Sequence, residues 1–266
     1  MIIDGIDLVL EIAILIVALA IIIVGIWAAI LQITIFFRYR RYNNIKVGNG
    51  RTAKTVAEEL LRHAGITDVQ VVKASILWFW FFNKWGNRYS PRRKKILLYK
   101  NILNNDSLTA IGLATQKVGL AIQHKNREPK MMFRAKWEIW TRLAPNLFLP
   151  IITLGLVIDL LVNGLDYNTG TFGYITIGFV GLAILYTIIA LLMLFRVIGT
   201  ERRAGEIALD LIRQNNLIDA NNIDKIADYY KLQVRIYVLD FVLAVLNIVL
   251  DILQLLARSK AAKGRR

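Results

Sequence analysis

None of the 266 residues is cysteine, which excludes disulfides, thiolate nucleophiles and Cys-ligated metal. Histidine is almost as scarce, with only His63 and His124. A catalytic zinc site ordinarily takes three protein ligands and keeps a fourth position for water. His124 with Glu128 one turn later supplies two, so no metal and no cofactor is expected, and His124 is read as solvated at a helix end. Acidic residues are also few, 19 against 34 lysines and arginines, for a net charge of +15. Such a balance suits anionic lipid headgroups, RNA or an acidic protein partner. An RNP-like aromatic strand and a zinc knuckle are both missing, so no nucleic acid is expected as partner.

Apolar sequence is abundant: 56% of the residues are hydrophobic and the mean hydropathy is +0.48, too much for an ordinary soluble domain. Residues 12–31 are twenty consecutive uncharged positions, enough to cross a hydrocarbon core of about 30 Å at about 1.5 Å per residue. Two further runs, 146–164 and 172–195, flank the turn Asp166-Tyr167-Asn168-Thr169-Gly170 and read as a helical hairpin. A fourth run, 236–257, carries Asp240 and Asp251. The first run is too long for a signal peptide and no basic residue precedes it, so it reads as an anchor. Arg38, Arg40, Arg41, Lys46 and Arg51 follow it, whereas Asp4, Asp7 and Glu11 precede it. The positive-inside rule then puts the N-terminus outside and residue 38 onward in the cytoplasm of a multi-pass cell-membrane protein.

The predicted organisation is a transmembrane anchor at 1–37, a basic cytoplasmic domain at 38–145, a transmembrane hairpin at 146–197, a cytoplasmic helical segment at 198–235, and a fourth transmembrane helix with a basic tail at 236–266. Residues 38–145 hold 22 lysines and arginines against six acids, so the basic domain carries the chain's positive charge. Anionic lipid headgroups are its expected contact. With four spans the tail, containing Arg258, Lys260, Lys263, Arg265 and Arg266, ends outside, against the charge bias; the inherited order of spans is favoured over that bias.

Three stretches stand out as contact candidates. Trp78-Phe79-Trp80-Phe81-Phe82, followed by Lys84 and Trp85, is apolar on both strand faces, and suits buried core, a membrane-interface loop or a partner patch. Met132, Ala135, Ile139 and Leu143 recur at helical spacing among Arg134, Lys136, Glu138 and Arg142, the pattern of an interfacial helix or of one packed on the domain. In the last span Gln233, Asp240, Asn247, Asp251, Gln254 and Arg258 lie near one line along the helix. Carboxylates facing hydrocarbon cost about 2.5–3.5 kcal/mol each near its centre, so this stripe is expected to face protein, water or a partner helix.

Residues 116–124 read Gln-Lys-Val-Gly-Leu-Ala-Ile-Gln-His. They resemble the zinc-peptidase helix His-Glu-Val-Gly-His-Ala-Ile-Gln-His, in which two histidines four apart bind Zn²⁺ and the glutamate activates its water. Those three positions hold Gln116, Leu120 and Lys117. Upstream, Thr52-Ala53-x-x-Val56-Ala57, Gly65-Ile66-x-Asp68-Val69, Tyr89-x-Pro91, Lys94, Leu98 and Ser107-Leu108-x-Ala110 are similar to the same family, the membrane-bound neutral zinc metallopeptidases. The resemblance covers roughly residues 50–125 well and the order of spans more weakly. It implies a third ligand, a glutamate early in the segment after the third span. Alignment back from Tyr237-Val238 puts Glu201 there, while alignment on Arg202-Arg203-Ala204 puts Val197 there.

The expected fold is an α-helical integral membrane protein of four transmembrane helices with a cytoplasmic α+β insert, a degenerate zincin-like domain with a two-stranded element near 69–73 and 94–98. The degenerate site is Gln116, Lys117, Leu120 and Glu201, with no catalytic, cofactor-binding or metal residues. Trp78, Trp80, Trp85, Asp240, Asn247 and Asp251 are the candidate contacts to lipid or to another membrane protein. The expected function is a catalytically inactive metallopeptidase homologue, not an enzyme, serving as scaffold or accessory subunit of a membrane assembly. The alternatives are an ion-conducting or transporter subunit using Asp240 and Asp251, or a residual zinc peptidase. If Glu201 has kept its place, Lys117 is expected within about 4 Å of it, replacing the lost metal charge.

Overall fold

The structure, a computed structural model, describes residues 2–47, 50–74, 87–137, 151, 153–162 and 174–263. Its elements in chain order are α1 (Ile2–Asn43), α2 (Ala53–His63), β1 (Gln70–Lys73), β2 (Arg88–Ser90), β3 (Lys95–Leu98), α3 (Lys100–Leu103), α4 (Leu108–Lys125), α5 (Pro129–Lys136), α6 (Thr153–Val162), α7 (Tyr174–Gln214) and α8 (Ala220–Lys263). Among the described residues, three helices are long and apolar enough to cross a membrane, within α1, α7 and α8. The chain is a helical, multi-pass membrane protein. Four spans are not reproduced: the expected span at 146–164 is described only at residue 151 and over the ten residues of α6, about 15 Å of helix.

Two compact units are present. One comprises 1–29, 143–193 and 239–266; the other comprises 30–142 and 194–238. In the first, large apolar side chains such as Leu15, Leu19, Ile23, Leu161 and Leu192 are exposed along the helices, as lipid-facing surfaces require. The second unit is the body that holds the degenerate motif. The helices do not stop where the apolar runs stop: α1 has 42 residues, α7 has 41 and α8 has 44. At about 1.5 Å per residue each exceeds 60 Å, roughly twice a hydrocarbon core. The remainder of each, rich in charge, supplies helices to the body.

Within the body the local signals are clear. Thr52 caps α2 by accepting from the Thr55 N–H at 3.3 Å, and Ala53, Val56, Ala57, Leu60 and Leu61 form its buried stripe. The helix stops where Gly65 turns left-handed (φ 63°) and the Ile66 N–H donates to the Leu61 carbonyl at 2.8 Å. Strands β1 and β3 pair in parallel and β2 pairs antiparallel with β3, in the order β1-β3-β2. The sheet thus has three strands where two are expected. Its extra strand comes from the Tyr-x-Pro segment read as a turn: three residues are too few to show a period of two, but Tyr89 is buried opposite Ile96 in the core.

Ser107 caps α4, accepting from the Ala110 N–H at 3.2 Å while its own hydroxyl donates to Asn43 Oδ1 at 2.9 Å. Fifteen of the 18 residues of α4 are buried, so it is the central helix, hydrophobic nearly all round. It ends at Asn126, with Arg127 left-handed (φ 52°) and the Glu128 N–H on the Gln123 carbonyl at 3.0 Å. Pro129 then opens α5 at a position where its missing N–H costs nothing. Of the amphipathic segment expected at 131–143, the described part is helical to Lys136, and residues 138–150 lie outside the described residues.

Candidate functional site

A helix buried on all sides must find partners for every polar side chain it carries, because an unsatisfied buried polar group costs about 1–3 kcal/mol. Thr115 resolves this locally, its hydroxyl donating to the Ile111 carbonyl at 2.8 Å. Lys117 cannot. Its side chain is 8% exposed and its ammonium donates to Glu201 Oε2 on α7 at 3.1 Å, within the reach expected from the sequence. The second carboxylate oxygen is held from α5, where Arg134 Nη2 donates to Glu201 Oε1 at 2.9 Å and Nη1 donates to Thr200 Oγ1 at 2.8 Å. Thr200 in turn donates to the Val197 carbonyl at 2.9 Å. Gln123 Nε2, one turn beyond Leu120, donates to the Thr200 carbonyl at 3.1 Å.

Glu201 is 3% exposed. Burial pushes its carboxyl upward, but the charges of Lys117 and Arg134 and their hydrogen bonds outweigh this and bring it down to about 2. It lies beyond the apolar run of α7, among Arg202, Arg203, Glu206, Asp210 and Arg213. The helices approach closely because Gly119 has no side chain: a Cβ there would sit 2.6 Å from the Ala204 carbonyl oxygen. Two turns earlier on α4, Tyr230 of α8 donates to the Gly112 carbonyl at 2.6 Å, and burial pushes its phenol well above the usual range.

The degenerate motif is therefore partly assembled around Glu201. Lys117 meets it; Leu120 is fully buried and carries no donor atom; Gln116 is buried with its Oε1 lacking a hydrogen-bond partner. Val197, the alternative ligand position, contributes only its backbone oxygen. Sequence reasoning missed Arg134 as a site residue, placing it on the polar face of an interfacial helix. The Asn-Arg-Glu-Pro turn at 126–129 is the signal that could have found it, since a proline-started helix after a left-handed residue folds back over the preceding one.

His124 corrects another expectation. Read as solvated, with Glu128 sharing its face, it shares a 2.8 Å hydrogen bond between Nδ1 and the Tyr89 hydroxyl, and Glu128 pairs with Arg203 at 3.9 Å. The reason is the left-handed Arg127, which ends α4 and carries Glu128 off the histidine's face. Among the described residues no group of three or more His, Asp or Glu is placed to hold a metal ion. Trp78, Trp80 and Trp85 lie outside the described residues. Asp240, Asn247 and Asp251 all lie on α8; Asn247 is exposed and its amide donates to the Leu243 carbonyl one turn back, at 2.7 Å.

The family described as "Putative neutral zinc metallopeptidase" matches residues 14–257. The chain belongs to this family. A curated relative, "Putative membrane protease YugP" of Bacillus subtilis (strain 168), is 27% identical over 135 residues, covering 48% of this chain and 55% of the relative. The chain thus spans about half the length of the curated relative it matches. No solved structure matches it. The expectation that the chain is not an enzyme is corrected here: family and relative are both named as proteases, which points to an enzyme.

The zinc ion of the family description does not fit the residues found at the motif. Gln116 is a neutral amide, Leu120 has no ligand atom, and the carboxylate that zinc would need already holds an ammonium and a guanidinium.

Proposed function

We propose that this chain puts the membrane-protease body of its family to use as a scaffold or accessory subunit in an assembly with another membrane protein. The observation that carries this reading is the Lys117–Glu201–Arg134 cluster, which stands among the motif residues as an internal clasp of the body. Support for the partner comes from the polar stripe of Asp240, Asn247 and Asp251 on α8, which single-chain burial leaves half-buried or exposed and which a facing helix would shield from lipid. The proposed topology keeps four spans, with the N-terminus outside and the basic body, including Arg38, Arg40 and Arg41, against the anionic cytoplasmic leaflet.

Native mass spectrometry of the full-length chain from its own membranes, in mild detergent, tests the reading. A second membrane protein in fixed stoichiometry, lost when Asp240, Asn247 and Asp251 are replaced by leucine, is expected. Release of the chain alone, before any substitution, would overturn it. A second reading, direct proteolysis within the membrane assembly, is favoured by the names of the family and the relative. It would need groups other than Gln116, Lys117 and Leu120. Cleavage of a membrane-protein substrate by the purified chain, measured with and without chelator, decides between them.

A further inference from the structure

Glu201 sets the problem: a carboxylate that is 3% exposed, at the meeting of three helices, needs a counter-charge, because a stranded buried charge is strongly destabilising. The body supplies two, one for each oxygen. Lys117 comes from the middle of α4, where fifteen of 18 residues are buried, so its ammonium has little access to water as an alternative. Arg134 comes from α5 and is braced by Thr200. Two cations on one carboxylate leave the cluster with a net charge of one positive unit. A divalent ion bound to Glu201 would sit about 2.0–2.2 Å from a carboxylate oxygen, and would have to displace the ammonium that hydrogen-bonds there. It would also face the fixed guanidinium of Arg134. Gln116 and Leu120 offer it no charge in return.

We infer that Lys117 is the resident cation of this site, fastening α4 to Glu201 of α7 in place of a metal, so that the body folds and stays folded independently of divalent ions. The inference does not depend on whether the chain acts as scaffold or as protease. Lys117 is a positioning residue, and its role is to hold three helices in register through one carboxylate.

The test uses the full-length protein in detergent, with zinc content and thermal unfolding measured before and after dialysis against a strong chelator, for wild type, Lys117→Met, Glu201→Gln and the double variant. Wild type is expected to carry zinc far below one ion per chain and to keep its Tm after chelation. Glu201→Gln is expected to lose the most stability, lowering Tm by about 10 °C, because Lys117 and Arg134 are then left buried with no carboxylate. Lys117→Met should lose less, since Arg134 still pairs with Glu201. The double variant should be more stable than Glu201→Gln, because the ammonium that needed the carboxylate is gone. Stoichiometric zinc in the wild type, or a Tm that falls on chelation, overturns the inference. So does a double variant no more stable than Glu201→Gln. If Glu201→Gln does not fold, the double variant decides alone: folding supports the inference and failure to fold refutes it.

Discussion

Gly119→Ala is the most informative single change, because it tests the helix approach that lets the ion cluster form. An ideal Cβ at 119 would lie 2.6 Å from the Ala204 carbonyl oxygen, 3.2 Å from its Cα and 3.3 Å from its carbonyl carbon. Every one of these atoms is backbone, so no side chain can swing aside, and α4 and α7 must separate by several tenths of an ångström. Overpacking of this kind costs about 1–3 kcal/mol. A 2.6 Å approach to backbone belongs in the upper part of that range, and the alanine returns up to about 1 kcal/mol of helix propensity, which leaves a net loss of about 1–2 kcal/mol. For a domain of this size that corresponds to roughly 3–6 °C in Tm. Gly205→Ala is the matched control in the same body. A Cβ there would meet only the Tyr230 side chain, at 3.4–3.5 Å, an ordinary contact, so the propensity gain should dominate and Tm should hold or rise slightly. Thermal unfolding followed by helical circular dichroism, in one detergent for all three proteins, reads the difference. A Gly119→Ala protein as stable as wild type, or equal losses in both variants, would refute the packing argument.

Two further outcomes follow from the same body. Because the Glu201 carboxyl is lowered from 4.5 to about 2 on folding, its contribution is fully present above pH 4.5 and lost as pH falls toward 2; wild type should therefore lose more stability than Glu201→Gln across that window, by roughly 3 kcal/mol, measured by denaturant unfolding at stepped pH. Ser107→Ala removes both the cap of α4 and the bond to Asn43 and should cost about 1–2 kcal/mol, whereas Ser107→Asp should retain the cap; a Ser107→Ala protein with unchanged Tm would sink this account of how α4 starts.

The apolar runs at 12–31, 172–195 and 236–257 were legible because each is a local pattern, and the β1 and β3 strands because the family pattern that residues 50–125 resemble places them. So was the altered motif at 116–124, since Gln116, Lys117 and Leu120 can be read one by one against a known spacing, and the family match bears out that resemblance. The third strand was not, because three residues carry no period, and Tyr89 is held by what it packs against. The fourth predicted span was not reproduced, since only α6 represents it among the described residues. Asp240 and Asp251 could be seen to be costly in lipid, but one helix seen alone does not say what faces them.

What the sequence by itself determined about this protein is its membrane class, its family, and the loss of ligand atoms at three motif positions, all of which depend on residue identity and spacing along the chain. Only the tertiary structure decided what took their place. Lys117 and Glu201 are 84 residues apart, and Arg134 and Glu201 are 67 apart. No helical or strand period links such positions. Their pairing depends on α5 folding back after Pro129 and on α4 and α7 meeting at Gly119, and a buried charge takes its partner from whichever surfaces those contacts bring within about 3 Å.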